Sequence, residues 1–255
     1  MSPNNTGAVL LEIDDRKVAS VILNRPAVNN AYNGDFIQDM LTAIDAMDKV
    51  AGLRAVVVKG KGKHFQAGAD LNWINTVRIS SSEENIRASR ATAEAVQRLN
   101  LAPVPTVALV QGACFGGGTG IIAACDVVIA ADNAIFSIAE VRWGLTAAII
   151  IPQLNDAISV RQVRRYALTG ERFEAEEARR IGLVHQVVPL PSWKRPVRGS
   201  LINSCRTARK RFRRPKRSRS SRPGAVWTRK NSSVSLKFTL ERDNPPKQPK
   251  GSCHS

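Results

Sequence analysis

Three short stretches bring together residue types from which a site could be made. The first is His64-Phe65-Gln66-Ala67-Gly68-Ala69-Asp70-Leu71, which follows an apolar run at 55–58. Small residues at 67–69 let a ligand come close to the main chain. Asp70 is placed to cap a helix that starts after it. Taken alone, this stretch reads as an ordinary strand-to-helix loop. The second, Gln111 to Gly120 (QGACFGGGTG), holds three consecutive glycines ahead of the small apolar segment Ile121–Ala124. Glycines at a helix N-terminus leave several N–H groups unengaged where the helix dipole favours negative charge. A phosphate or a developing oxyanion suits that place. The third, Phe136 to Leu145 (FSIAEVRWGL), sets Glu140 among apolar residues. A carboxyl group so placed has a raised pKa, which is useful for proton transfer. The plainer reading pairs Glu140 with Arg142, or with another base, at the surface.

Other chemistry is less well supported. Gly118-Thr119-Gly120-Ile121-Ile122-Ala123 fits a loose dinucleotide pattern, with Asp132 beyond it. The ribose-binding acid of that fold lies ~20 residues past the glycines. Here Asp132 falls 14 residues past Gly118. His64, His185 and His254 are scattered and read as structural or peripheral. The four cysteines, Cys114, Cys125, Cys205 and Cys253, have neither metal-ligand nor disulfide-framework spacing. Cys114 reads as a small core residue. No cofactor and no metal are expected.

These residues need elements to position them. Residues 8–23 read as two strands about a turn at Asp14–Lys17. Phe36, Met40, Ile44 and Met47 share a helical face, with Asp35 as the expected N-cap. Ala55–Val58, Thr106–Val110 and Val127–Ala130 are apolar runs of the kind buried on both faces of a parallel sheet. Helical segments are expected near 83–100, 117–124 and 157–168. A short helix over Ala175–Ile181 would end at Gly182. The alternation of strands and helices predicts an α/β domain.

The charge is unevenly placed. The formal net charge is +17, yet residues 1–190 carry 19 basic and 19 acidic side chains. Residues 191–255 carry 19 basic and two acidic ones, together with seven of the 13 prolines. Arg206–Arg222 has no apolar face of either period. Such a tail cannot bury enough apolar surface to offset the entropy of ordering it, so disorder is expected there. The predicted division is a core over 1–190 and a basic low-complexity tail over 191–255. No secretory leader or membrane span is read, and a reduced, cytoplasmic setting is expected.

In this order, the three stretches resemble the crotonase family, the enoyl-CoA hydratase/isomerase superfamily. The likeness runs from VILNRPAVNNA at 21–31 through QAGADL, GACFGGGTGIIAACDVVIAAD and FSIAEVRWGL. It ends with ALTGERFEAEEARRIGLVHQVV at 167–188. The resemblance implies a spiral of ββα units that binds acyl-CoA thioesters. It implies that the N–H groups of Ala69 and Gly117 hold the thioester oxygen, with Glu140 as the catalytic acid/base. Ala67, Gly68, Ala69, Asp70, Leu71, Gly117 and Gly118 would then line the acyl-CoA site. Losing one oxyanion donor typically costs ~3–4 kcal/mol.

Two departures bear on function. Hydratases of the family use a second glutamate just after the glycine run, where this chain has Gly120. Bacterial 3-methylglutaconyl-CoA hydratase-like members have a similar small residue there and the S-E-V-R-x-G-L run, matched here from Glu140 onward. That points to hydration of a 2-enoyl-CoA, with leucine degradation or fatty acid metabolism as the setting. A single-glutamate enoyl-CoA isomerase is the alternative. A catalytically impaired scaffold, or a nucleic-acid-binding protein acting through its tail, is a third reading. Thr146–Pro152 (TAAIIIP) also replaces a glycine-rich stretch of the family, which reshapes the acyl end of the pocket. The second departure is the tail, which stands where the family has a helical region that covers the pocket and builds a trimer. A reading-frame shift near codon 190 would explain the switch. The family's homotrimer or dimer of trimers, non-specific polyanion binding by the tail and poor solubility are the matching expectations; membrane binding is not expected.

Overall fold

The computed structural model describes residues 6–192 and, as backbone, two further strands at 226–230 and 233–237. Strands β1 (Val9–Ile13) and β2 (Val18–Leu23) form an antiparallel hairpin. Its turn places Lys17 at φ 61°, and Asp14 accepts from the main-chain N–H groups of Arg16 and Val18. β2 then pairs in parallel with β3 (Ala55–Gly60), β3 with β4 (Thr106–Val110), and β4 with β6 (Val127–Ala131). β9 (Gln186–Val188) closes the six-stranded sheet. The middle strands are buried on both faces, as their unbroken apolar runs require.

A second, three-stranded sheet joins β5 (Ala113–Phe115), β7 (Ile135–Ser137) and β8 (Phe173–Glu174). Its strands are two or three residues long, too short to show a period in the sequence. They explain the spiral. β4 is followed by β5 and helix α4 (Gly117–Ala123). β6 is followed by β7, and then by α5 (Ile151–Thr169). After β3, Gln66 bridges Cys114 of β5 in the same way. Helices α2 (Leu71–Ile79) and α3 (Ser82–Asn100) follow. Each turn of the chain therefore adds a strand to the large sheet, a piece of the small sheet, and helix.

Two helix starts differ from expectation. The helix after β2, α1 (Gly34–Asp48), is capped by Asn33, whose side chain accepts from the Phe36 N–H at 3.0 Å. Asp35 sits in the first turn instead, where a negative charge still favours the helix dipole. α5 begins at Ile151, not near 157, because Pro152 suits the first turn of a helix. The helical path breaks at Ser159 (φ 70°), so the pattern before it is out of phase with the pattern after it. α6 (Ala175–Arg180) ends as expected, with Gly182 at φ 92°.

The core gathers β2, β3, β4 and β6 under α1, α3 and α5, with Phe65, Phe136 and Tyr166 among its largest buried side chains. Within the tail the structure describes one antiparallel hairpin, β10 (Val226–Lys230) with β11 (Ser233–Lys237), where no regular element is expected. The expected disorder and polyanion binding of the rest of the tail lie outside the described residues. Among the described residues no helix is long and apolar enough to cross a membrane.

Candidate active site

The loop after β3 is stitched down on both sides. Gln66 N–H donates to the Ala113 carbonyl, Ala67 N–H to that of Asn29 and Asp70 N–H to that of Tyr32. The amides of Gly68 and Ala69 donate to no described group. Gly68, at φ 92°, turns the chain there. The glycine run behaves alike. Gly116 N–H donates to the Ser137 carbonyl and Thr119 N–H to that of Gly116, while Gly117 and Gly118, in the first turn of α4, donate to none. Ala69 and Gly117 line one cavity of about 1160 Å³, counting the part open to solvent. Ala67, Gly68, Leu71 and Glu140 line it too.

Glu140 begins a 3-10 turn that runs to Trp143. The residue is half-buried, but its Oε2 atom is shielded from solvent and has no hydrogen-bond partner. A Cβ on Gly116 would lie 3.0 Å from Glu140 Oε1, so only glycine leaves the carboxyl room. Burial raises the Glu140 pKa to about 7. The surface ion pair with Arg142 is not formed, because the Arg142 Nε donates to the Gly170 carbonyl at 2.8 Å.

Two residues named from the sequence stand apart from the cavity. Asp70 caps α2, accepting from the Asn72 N–H at 3.1 Å, and forms an ion pair with Arg25 at 3.1 Å. Gly118 is buried behind the wall, where a Cβ would meet the Gln66 carbonyl and side-chain oxygens at 3.1 Å. Cys114 is fully buried and its thiol pKa is pushed well up by burial, so it is no nucleophile. His64 Nδ1 accepts from the Ala113 N–H, and His185 Nδ1 from the Val128 N–H. Both rings therefore tie loops together.

Three residues are additions that the sequence does not announce. Ile150 fills the space beside Gly120, where a Cβ would come within 2.1 Å of Ile150 Cγ2. The run 146–152 thus occludes the place of a second glutamate. Gln66, fully buried, lines the cavity with neither amide atom hydrogen-bonded. Tyr32 lies one residue beyond the motif VILNRPAVNNA, and its ring packs on Gly117. Only the glycines across from Tyr32 and Ile150 hint at these contacts.

The chain matches the family model described as enoyl-CoA hydratase/isomerase over residues 14–213. It is 36% identical over 180 residues to a Thermus thermophilus protein named "Putative enoyl-CoA hydratase", covering 71% of each chain. It is 30% identical over 197 residues to a peroxisomal Delta(3,5)-Delta(2,4)-dienoyl-CoA isomerase of Arabidopsis thaliana, covering 73% of this chain and 71% of the relative. A solved Legionella pneumophila structure titled an enoyl-CoA hydratase/isomerase (crotonase) superposes with a TM-score of 0.73 at 35% identity, over 76% of this chain and 74% of that one.

Proposed function

The chain belongs to the enoyl-CoA hydratase/isomerase family, and we propose that it hydrates a 2-enoyl-CoA, with Glu140 as the proton-transferring group. The observation that carries this reading is the unpartnered Oε2 of Glu140 in the cavity that also holds the unengaged amides of Ala69 and Gly117. The thioester oxygen sits between those two amides. Water adds to C3 as the C2=C3 π electrons move toward that oxygen, and the amides stabilise the enolate that forms. Glu140 takes the proton from the attacking water and delivers it to C2. A carboxyl with a pKa of about 7 is suited to both halves of that transfer near neutral pH.

The acyl group in this reading is neutral. No basic side chain is among the described residues that line the cavity. The terminal carboxylate of a methylglutaconyl group therefore has no cation to meet among the described residues, and the expected closeness to that branch gains no support.

Isomerisation of an enoyl-CoA is the second reading. Ile150 beside Gly120 favours it, because a single carboxylate suffices to move a proton between two carbons. Assays of crotonyl-CoA hydration and of 3-enoyl-CoA isomerisation separate the two. The proposal expects hydration by the wild type and a loss of about 10²–10⁴-fold in Glu140→Gln. A wild type that isomerises 3-enoyl-CoA but adds no water would overturn it in favour of the second reading.

A further inference from the structure

Glu140 is the one carboxylate among the described residues that line the cavity. Water must still be held for attack, and Ile150 keeps a second acid from position 120. We propose that the Tyr32 hydroxyl holds the attacking water against Glu140, in the part a second carboxylate would otherwise play. This rests on the hydratase reading above.

The geometry comes from two adjacent glycines. A Cβ on Gly117 would meet Tyr32 Cε1 at 2.6 Å and Cζ, the carbon that carries the hydroxyl, at 3.4 Å. A Cβ on Gly116 would meet Glu140 Oε1 at 3.0 Å and Cδ at 3.4 Å. Gly116 and Gly117 are consecutive, so phenol ring and carboxyl both pack at the start of α4, and both residues line the same cavity. They do not bond to each other. Glu140 Oε2 has no hydrogen-bond partner. They nevertheless feel one another. Burial raises the phenol pKa above its ordinary value, and the Glu140 charge adds to the rise. The phenol therefore stays protonated while Glu140 ionises.

Two polar groups that line one cavity and do not bond to each other suit one small bridging molecule. A water there gives one hydrogen to the Glu140 carboxylate and the other to the Tyr32 oxygen, and keeps a lone pair for C3. As the O–C3 bond forms, the first proton passes to Glu140 and on to C2, and the second stays on the product hydroxyl. Tyr32 is well fixed for this role. Trp73 meets its ring edge-on at 5.6 Å, and Phe36 lies 6.4 Å away. Its own N–H donates to the Gly68 carbonyl, and its carbonyl accepts from the Asp70 N–H, so it is tied to the loop that carries Ala69.

Tyr32→Phe removes the oxygen and keeps the ring. Two rates test it. One is crotonyl-CoA hydration. The other is solvent deuterium exchange at C2 of vinylacetyl-CoA, which needs the Glu140 base but no added water. The ratio of hydration to exchange should fall at least tenfold in Tyr32→Phe, with KM within about threefold of wild type. Trp73→Phe, which loosens the ring without touching the water, should leave that ratio within about twofold. An unchanged ratio in Tyr32→Phe, or an equal fall in both variants, overturns the proposal while the hydratase reading stands. A wild type that exchanges C2 protons but never hydrates overturns both.

Discussion

Two kinds of wall line the cavity: Ala69 and Gly117 offer it main chain, whereas Glu140, Tyr32 and Ile150 offer it side chains. On the first wall the working atoms are amide N–H groups. Every residue but proline has one, so selection acts on shape, and shape writes itself into sequence as glycine and alanine. On the second wall the working atoms depend on what packs opposite. Glu140 Oε1 stands 3.0 Å from where a Cβ on Gly116 would lie, and position 120 lacks an acid where Ile150 fills the space. A substitution on the first wall should therefore act by moving the backbone. One on the second should act through a partner.

Gly117→Val puts the largest strain on that contrast. Its Cβ would fall 2.6 Å from the Tyr32 ring, and either the ring or the start of α4 must shift. A displaced oxyanion donor should lower kcat/KM for an enoyl-CoA by about 10²–10³-fold. Ala69→Gly keeps the amide and adds no bulk, so it should cost under about threefold. Comparable losses in both variants would mean that the Ala69 side chain, not its amide, does the work.

The next test is of stability. Gly120→Ala should cost about 1–3 kcal/mol by overpacking against Ile150, measured by denaturant unfolding. In an Ile150→Ala background the same change should cost about 1 kcal/mol less, because the clash is gone. Additive costs would show that Ile150 is not what excludes a side chain from position 120.

The same contrast explains how much was legible beforehand. The long parallel strands and the helices over 34–48 and 82–100 follow from apolar runs and a 3.6 period, which packing merely accepts. The three-stranded sheet does not, because Phe173–Glu174 is two residues long. Glycine runs announce the amides of 69 and 117, since close approach to main chain has few other solutions. Tyr32 and Ile150 come into view only once chain reversals bring 32 and 150 over 117 and 120. The placing of Asp35 as a cap misses because Asn33, two residues earlier, accepts from the Phe36 N–H and starts the helix at Gly34.

Titration of Glu140 sharpens the side-chain half of the comparison. Its pKa in the folded protein, about 7, lies above the 4.5 of the unfolded chain. The folded state thus binds this proton more tightly. Wild-type stability is unpenalised below pH 4.5 and declines as pH rises through 7. Glu140→Gln carries no charge at any pH. It should match the wild type at pH 4 and exceed it by about 1–2 kcal/mol at pH 8.5, after allowance for partial exposure. In the wild type, hydration should rise with pH through about 7 as the base ionises. A variant less stable than wild type at pH 8.5 would show that a cation compensates the buried carboxylate.

The smallest expected effect concerns the one carboxylate in the first loop. The resemblance places Asp70 in the acyl-CoA site, whereas the structure turns it toward the helix behind. One oxygen caps α2 at Asn72, and the other meets Arg25, whose guanidinium also donates to the Ala31 carbonyl just before Tyr32. Asp70→Ala should cost about 1 kcal/mol, mostly through the lost cap, since partly exposed ion pairs add little. Asp70→Asn retains an oxygen for the cap and should recover most of that loss. KM should stay within about twofold in both, because the proposed function calls on the Ala69 amide and not on the carboxylate beside it. A tenfold rise in KM with stability unchanged would put Asp70 on the substrate, and the first loop would then work through a side chain as well as through its backbone.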